Sequence, residues 1–348
     1  MFFASDNCGA VPPQVIEALA RANEGSVPGY GDDTLSRDVC DRIRALFEAA
    51  EAAVYLVPTG TAANSLALAC LCPPFATVFC SPVAHIQTDE CNAPEFFTSG
   101  AKLTLVPGGD RIDPEALRWT IAAEETRGVH GPERGPVSIT QLTERGNIYS
   151  AGHVSAICDV AHDFGLPVHM DGARFSNACV KLGLTPAEMT WKAGVDVAVF
   201  GGTKNGLMGV EAVIFFDPAH ATQFERRRKR GAHLFSKHRY LAAQMDAYLR
   251  DDLWRDMAQR ANGACDQLAQ GLKGAALEFE NETWGNMLFV RMPRGVHRAL
   301  HEKGAFYSIW DGTLEGGSED EMLTGRLVCG WNTTSEEVST LTEAVRAA

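Results

Sequence analysis

The sequence predicts an α/β protein: a large domain with a mostly parallel sheet covered by helices, followed by a smaller C-terminal α/β domain. Three observations predict it. Short β-branched runs bounded by glycine or proline, such as Val195–Phe200 and Val210–Phe216, alternate with segments of helical spacing as far as Phe216. That is the pattern of strands buried on both faces by crossover helices. The chain has 348 residues, 45% hydrophobic and 22% charged, enough for a large core and for two domains. After Phe216 the texture shifts to long helical stretches with brief strands, which places a boundary near residue 235 and divides the chain into 1–235 and 236–348.

Taken in order, a polar segment over residues 1–11 precedes Pro12-Pro13, and proline at a helix start opens a helix over Gln14–Asn23. Pro28–Asp33 is a loop. Thr34 is expected to cap a helix running to Ala49, with Leu35, Val39, Ile43 and Leu46-Phe47 facing inward. Ala52–Val57 reads as the first strand, and Pro58–Asn64 turns into an apolar helix ending near Leu71. Strands at Thr77–Cys80, Lys102–Val106, Val137–Thr140 and Leu166–Met170 then alternate with helices at Asp113–Glu125, Ser150–Phe164 and Thr185–Ala193. The second part reads as helical over Pro218–Arg230 and Leu234–Gly271. Its strands are Asn286–Met292, Phe306–Ile309 and Arg326–Cys329, and its last helix, Ser335–Ala347, is opened by Ser335 followed by acids.

Composition narrows the function. A formal net charge of −13 argues against a nucleic-acid partner; the one basic run, Arg226–Arg230, reads as a solvated helix face. The ten cysteines are scattered, with neither a CxxC pair nor metal-like spacing. No signal peptide and no apolar stretch of membrane-spanning length is visible. The expectation is a cytoplasmic protein with reduced thiols, no metal, no membrane and a small-molecule partner.

The chemistry centres on Val195–Val213, where an apolar run stops at Gly201-Gly202, presents Thr203 and Lys204, and resumes past Gly209 with no acid within six residues of the lysine. Glycines let the backbone bend sharply there. An arbitrary lysine lays its stem on apolar surface and reaches water, whereas a desolvated one loses its proton and attacks a carbonyl to form a Schiff base. Upstream, Asp171 ends the strand Leu166–Met170, where open α/β sheets place their ligands. An acid to protonate a pyridine nitrogen and a lysine to carry an aldehyde are what a pyridoxal phosphate enzyme needs. Thr59-Gly60-Thr61 follows a strand and opens a helix, a ready anion site for the phosphate, and no Gly-Lys-Ser/Thr follows to make it a nucleotide loop. His85 lies past the next strand end, placed for ring stacking or acid–base work, with Glu90 near enough to orient it. Arg174, three residues after Asp171, and Arg326, opening a later strand, form a pair suited to a carboxylate.

Five ordered stretches, Pro58–Leu68, His169–Ala178, Phe200–Gly206, Tyr30–Asp33 and Arg326–Thr333, resemble the threonine aldolase family. Within it they are nearest the low-specificity bacterial branch, fold-type I pyridoxal phosphate enzymes grouped with the β-eliminating lyases. The resemblance runs from Ser5–Asn7 to Asn332. It implies Lys204 as the Schiff-base lysine, Asp171 on the pyridine nitrogen, His85 stacked on the ring and Gly60 and Thr61 on the phosphate. It further implies Ser5, Arg174 and Arg326 on the substrate carboxylate. Tyr30 is implied to reach across a dimer interface, and Lys237 to lend a basic side chain to the neighbouring subunit's phosphate. The assembly so implied is a homo-oligomer, a dimer with shared active sites built into a tetramer. One departure stands out: where many members carry a histidine near the substrate hydroxyl, the matching stretch Thr140–Glu144 has Glu144, with Thr143 expected to offer a hydroxyl near the ring.

The implied reaction is retro-aldol cleavage of L-threonine, allo-threonine or phenylserine-type β-hydroxy-α-amino acids to glycine and an aldehyde, an aldehyde-lyase activity. A β-lyase or aminotransferase would use the same cofactor on another bond, and a non-catalytic binding protein would lack the intact lysine, aspartate and arginine set. For the base that takes the β-hydroxyl proton, a water held between His85 and Glu90 is expected to outweigh Glu144.

Overall fold

The structure is a computed structural model and describes residues 1–273, 275 and 277–347. Its helices in the first part are α1 (Pro13–Ala22), α2 (Thr34–Leu46), α3 (Gly60–Leu71), α4 (His85–Thr88), α5 (Ala93–Phe97), α6 (Pro114–Ala123), α7 (Ala151–Asp163) and α8 (Phe175–Leu182). Interleaved with them are β1 (Ala53–Val57), β2 (Ala76–Cys80), β3 (Lys102–Leu105), β4 (Glu133–Thr140), β5 (Val168–Asp171), β6 (Val197–Gly201) and β7 (Glu211–Phe215). These strands form one sheet in the order β1-β7-β6-β5-β4-β2-β3. Only β7 runs against the others, pairing antiparallel with both β6 and β1. The parallel strands therefore all end at one rim, and the first residue of β7, Glu211, stands at that rim opposite Val57 and Gly201. β5, β6 and β7 are buried along their whole lengths, as the continuous apolar runs require.

The second part holds α9 (Phe224–Arg230), α10 (Arg239–Leu249), α11 (Leu253–Leu272), β8 (Glu278–Phe279), β9 (Met287–Pro293), α12 (Arg294–Glu302), β10 (Ser308–Asp311), β11 (Met322–Val328) and α13 (Ser335–Arg346). Its sheet is antiparallel, in the order β10-β11-β9-β8. Phe47, Phe175, Phe200, Tyr248 and Trp254 pack in the large core, and Leu268, Leu288, Val290, Leu327 and Leu341 in the small one. α10 thus faces the large core, and α11 passes from one core to the other.

Several local expectations are corrected. Asp33, not Thr34, caps α2: its two carboxylate oxygens take the Ser36 N–H at 2.9 Å and the Ser36 hydroxyl at 2.7 Å, two bonds where a threonine hydroxyl would accept one. α13 is capped by Thr334 in a reciprocal pair with Glu337, one residue before Ser335. Thr185–Ala193 is a series of turns closed by a 3-10 turn at Trp191–Ala193, and the helix lies earlier, as α8. The long helix over 234–271 breaks at Asp251 and Asp252, both at positive φ. Nor is the basic run wholly solvated. Arg228 is 7% exposed, donates to the Leu56 carbonyl at 3.0 Å and lies over the Tyr55 ring.

Candidate active site

The segments carrying Thr59–Thr61, Asp171 and Lys204 meet at the rim where the parallel strands end. The closeness of β5 and β6 there depends on glycine: a Cβ on Gly172 would lie 1.8 Å from the Val199 carbonyl oxygen. Asp171 and Lys204 consequently share one cavity of about 360 Å³, lined also by Thr59, Gly60, Thr61, His85, Glu90, Glu144 and Arg174.

Lys204 occupies a 3-10 turn, Thr203–Asn205, closed by Gly206 at φ +101°. Asn205 anchors the turn from below, donating to the Tyr248 hydroxyl at 2.6 Å and the Trp254 carbonyl at 2.8 Å. Burial and then the Arg174 charge hold the lysine below the usual ammonium range, against the opposing pull of Asp6, Asp171 and Glu211. The absence of nearby acids in the sequence is reversed in space. Glu211 accepts the Gly202 N–H at 2.8 Å, and burial pushes its carboxyl up to about 7.

Asp171 Oδ1 accepts the Ala173 N–H and Oδ2 the Asn64 amide, each at 2.9 Å. The same Asn64 nitrogen donates to Glu90 Oε1 at 2.9 Å, and His85 Nδ1 meets that oxygen at 2.9 Å. The Glu90 bond raises the His85 pKa, and burial raises that of Glu90, so the two hold a proton between them. This corrects the expected bridging water: at 2.9 Å the side chains touch directly, with no space for a molecule between them. Glu144 accepts the His85 backbone N–H at 2.7 Å and the Thr140 hydroxyl at 2.8 Å, both on Oε1; Oε2 is buried without a partner. Burial pushes its carboxyl up to about 7.

Thr59 caps α3 by accepting the Ala62 N–H at 3.2 Å, and the space where a Gly60 Cβ would stand is empty to 4 Å. A phosphate fits that first turn, where helix N–H groups lack partners. With a carboxylate for a ring nitrogen and a desolvated amine for an aldehyde in the same cavity, these residues fit pyridoxal phosphate.

Other expected residues lie off the cavity. Thr143 is turned away, its hydroxyl donating to Asp110 and accepting the Asn147 N–H at 2.8 Å. Its expected place near the ring is thereby corrected, because the turn over 143–147 consumes the hydroxyl. Ser5 caps the short turn Asp6–Cys8 through the Asn7 N–H at 3.1 Å. Tyr30 and Lys237 are exposed and do not line the cavity; the Tyr30 N–H donates to the carbonyl of Ser236, the residue before Lys237, at 2.9 Å, and the Lys229 ammonium lies 4.7 Å from the Tyr30 ring centre. Arg174 lines the cavity but gives two of its donors to Asp6. Arg326 lies in mid-β11, its guanidinium 4.9 Å from the Trp310 ring centre and its Nε buried without a partner. Sequence reasoning missed Asn64, Asp6 and Glu211. Asn64 lay inside a quoted motif, and only its polarity in an otherwise apolar helix could have signalled it.

The beta-eliminating lyase family model matches residues 3–293. A low-specificity L-threonine aldolase from a Pseudomonas strain is 41% identical over 99% of this chain and 97% of its own. One from Pseudomonas aeruginosa is also 41% identical, over 99% and 96%. Among solved structures, threonine aldolase from Leishmania major superposes with a TM-score of 0.92 at 23% identity, covering 99% of this chain and 98% of that one. Matched through most of its length by the family model and through nearly all of it by those relatives, the chain belongs to the beta-eliminating lyase family.

Proposed function

We propose that this protein is a pyridoxal phosphate-dependent aldehyde-lyase that cleaves β-hydroxy-α-amino acids such as threonine, allo-threonine and phenylserine to glycine and an aldehyde. One observation carries the reading: Lys204, Asp171, the Thr59–Thr61 cradle and a partnerless Glu144 oxygen line the same cavity. The bound cofactor supplies an electron sink for the pair released from the Cα–Cβ bond. Asp171 keeps the ring nitrogen protonated, and Asn64 holds that carboxylate in place. Lys204 anchors the aldehyde, and its depressed pKa keeps the amine nucleophilic. His85 covers the ring, its proton shared with Glu90. Arg174 and Arg326 would hold the substrate carboxylate and so orient the bond to be cleaved.

Glu144 is the base in this reading, in place of the His85–Glu90 water. Its Oε2, like that of Glu90, is without a partner, but Glu90 is bonded to the His85 ring, whereas the Glu144 carboxyl, pushed up to about 7, both accepts and returns a proton at working pH. A panel of the three substrates, scored for glycine and aldehyde, tests the function. A keto acid product would replace it with β-lyase or aminotransferase chemistry.

Tyr30 and Lys237, exposed and off their own cavity, are read as serving a neighbouring subunit in a homo-oligomer, a dimer and then a tetramer. The ten unpaired cysteines favour a reducing, cytoplasmic setting. No helix among the described residues is long and apolar enough to cross a membrane. A domain boundary inside α11, rather than near residue 235, is favoured by the packing of Leu241, Met245 and Tyr248 in the large core.

A further inference from the structure

The first residues of the chain tie the two domains together at the site. Phe3 is buried in the small core; its N–H donates to Phe306 O at 2.8 Å and its carbonyl accepts the Val328 N–H at 2.8 Å. Three residues on, Asp6 meets the large domain. Its carboxylate, 5% exposed, takes Arg174 Nε on Oδ2 at 2.7 Å and Nη2 on Oδ1 at 2.9 Å. Asn286, just ahead of β9, adds a bond to Oδ2 at 2.9 Å and also donates to Cys329 O at 2.9 Å. Between these anchors the Ala4 carbonyl accepts Arg326 Nη2 at 3.5 Å. The stretch Ala4–Asp6 thus touches both carboxylate-binding arginines, one from each domain.

A buried ion pair is a weak source of net stability, because desolvation offsets the attraction. What a bidentate pair does fix is direction. With the Nε–Nη2 edge of Arg174 committed to Asp6, Nη1 is the nitrogen left for the cavity that Arg174 lines. Arg326, on the small domain and outside that lining, keeps a buried Nε without a partner.

We propose that Asp6 is a positioning residue for recognition of the α-amino-acid carboxylate: it turns Arg174 so that Nη1 faces the substrate, and it does so from a segment that also rests on Arg326, setting the spacing of the two arginines. The inference rests on the reading that these arginines hold the carboxylate, and it concerns how they are aimed.

The test uses holoenzyme and two probes followed by cofactor absorbance: glycine, and methylamine, which has the amine without the carboxylate. Asp6→Asn removes the charge at nearly constant shape; Asp6→Glu keeps the charge and moves it by one methylene, and carries the test if the first variant folds poorly. Both are expected to weaken glycine binding about tenfold or more while methylamine binding stays within about twofold, the loss expected when a charged, hydrogen-bonded contact is misaligned. Equal weakening of both probes would make Asp6 merely structural and overturn the proposal. So would unchanged glycine binding, or tighter glycine binding in Asp6→Asn with Asp6→Glu unchanged, which would make Asp6 a charge screen. Arg326→Ala separates the two levels. If it leaves glycine binding intact, the carboxylate reading itself fails; if it weakens glycine while the Asp6 variants do not, only the positioning role fails.

Discussion

A carboxyl that ionises near pH 7, with one oxygen tied down and the other free, is suited to move a proton in either direction. Glu144 has that form. Glu144→Gln is expected to lower kcat by roughly 10²–10⁴-fold while retaining cofactor absorbance, because one positioned base contributes about that much. Since the ionised form accepts the proton, wild-type kcat should fall as pH drops through about 7, and the step should vanish in the variant. A pH profile checks both, and His85→Asn proving the deader enzyme at saturating cofactor would return the role to His85. Arg326→Ala should keep cofactor absorbance yet lose about 2–5 kcal/mol in kcat/KM; a change under about threefold would leave Arg326 structural. At this scale the sequence exposed residues whose place follows from a strand end: Lys204, Asp171 and the Thr59–Thr61 turn. It hid those whose place comes from a distant partner. Asn64 is bonded to Asp171, 107 positions away, and Asp6 to Arg174, 168 away, separations that no local spacing encodes.

Among the elements, the crossing of β5 and β6 is the tightest determinant of the site, and two glycines test it with opposite outcomes. Gly172→Ala drives a Cβ into the Val199 carbonyl, where only backbone can yield, so a lower Tm is expected together with loss of cofactor absorbance. Overpacking of this kind costs about 1–3 kcal/mol. Gly60→Ala meets nothing within 4 Å and should leave Tm unchanged while weakening the cofactor, whose phosphate would need that space. Thermal melts and absorbance titrations distinguish them. The strands of the large sheet were legible because glycine and proline punctuate β-branched runs. α8 was not, since Phe175–Leu182 mixes serine, asparagine and cysteine without clear periodicity. Its helix is held instead by burial of Phe175, Ala178 and Cys179 and ended by Gly183 at φ +66°.

For the whole molecule, the proposal that Tyr30 and Lys237, exposed and off their own cavity, serve a neighbouring subunit can be tested by complementation. Lys204→Ala and Lys237→Ala, each inactive alone, should regain activity when co-expressed, because a mixed dimer contains one site with both lysines intact. Purified mixtures no more active than their parts would assign Lys237 to its own subunit's surface. This scale was the least legible. Quaternary contacts leave no periodic mark in one chain, and their only trace was residues exposed where a motif implied function.

The order of the large sheet also sets an order in time. β1, which leads into the Thr59–Thr61 turn, has β7 as its only sheet partner among the described residues, and β7 lies beyond the lysine. The two halves of the cofactor site are thus separated by most of the domain's sequence and are joined by the pairing that closes the largest loop within that sheet, a slow step for any chain. On refolding from denaturant with cofactor present, far-ultraviolet circular dichroism should recover first and cofactor absorbance only later. A lag that persists at higher cofactor concentration would mark closure of β1 on β7, not diffusion, as the event that creates the site. Simultaneous recovery of both signals would mean that the cradle and the lysine meet before the sheet is complete.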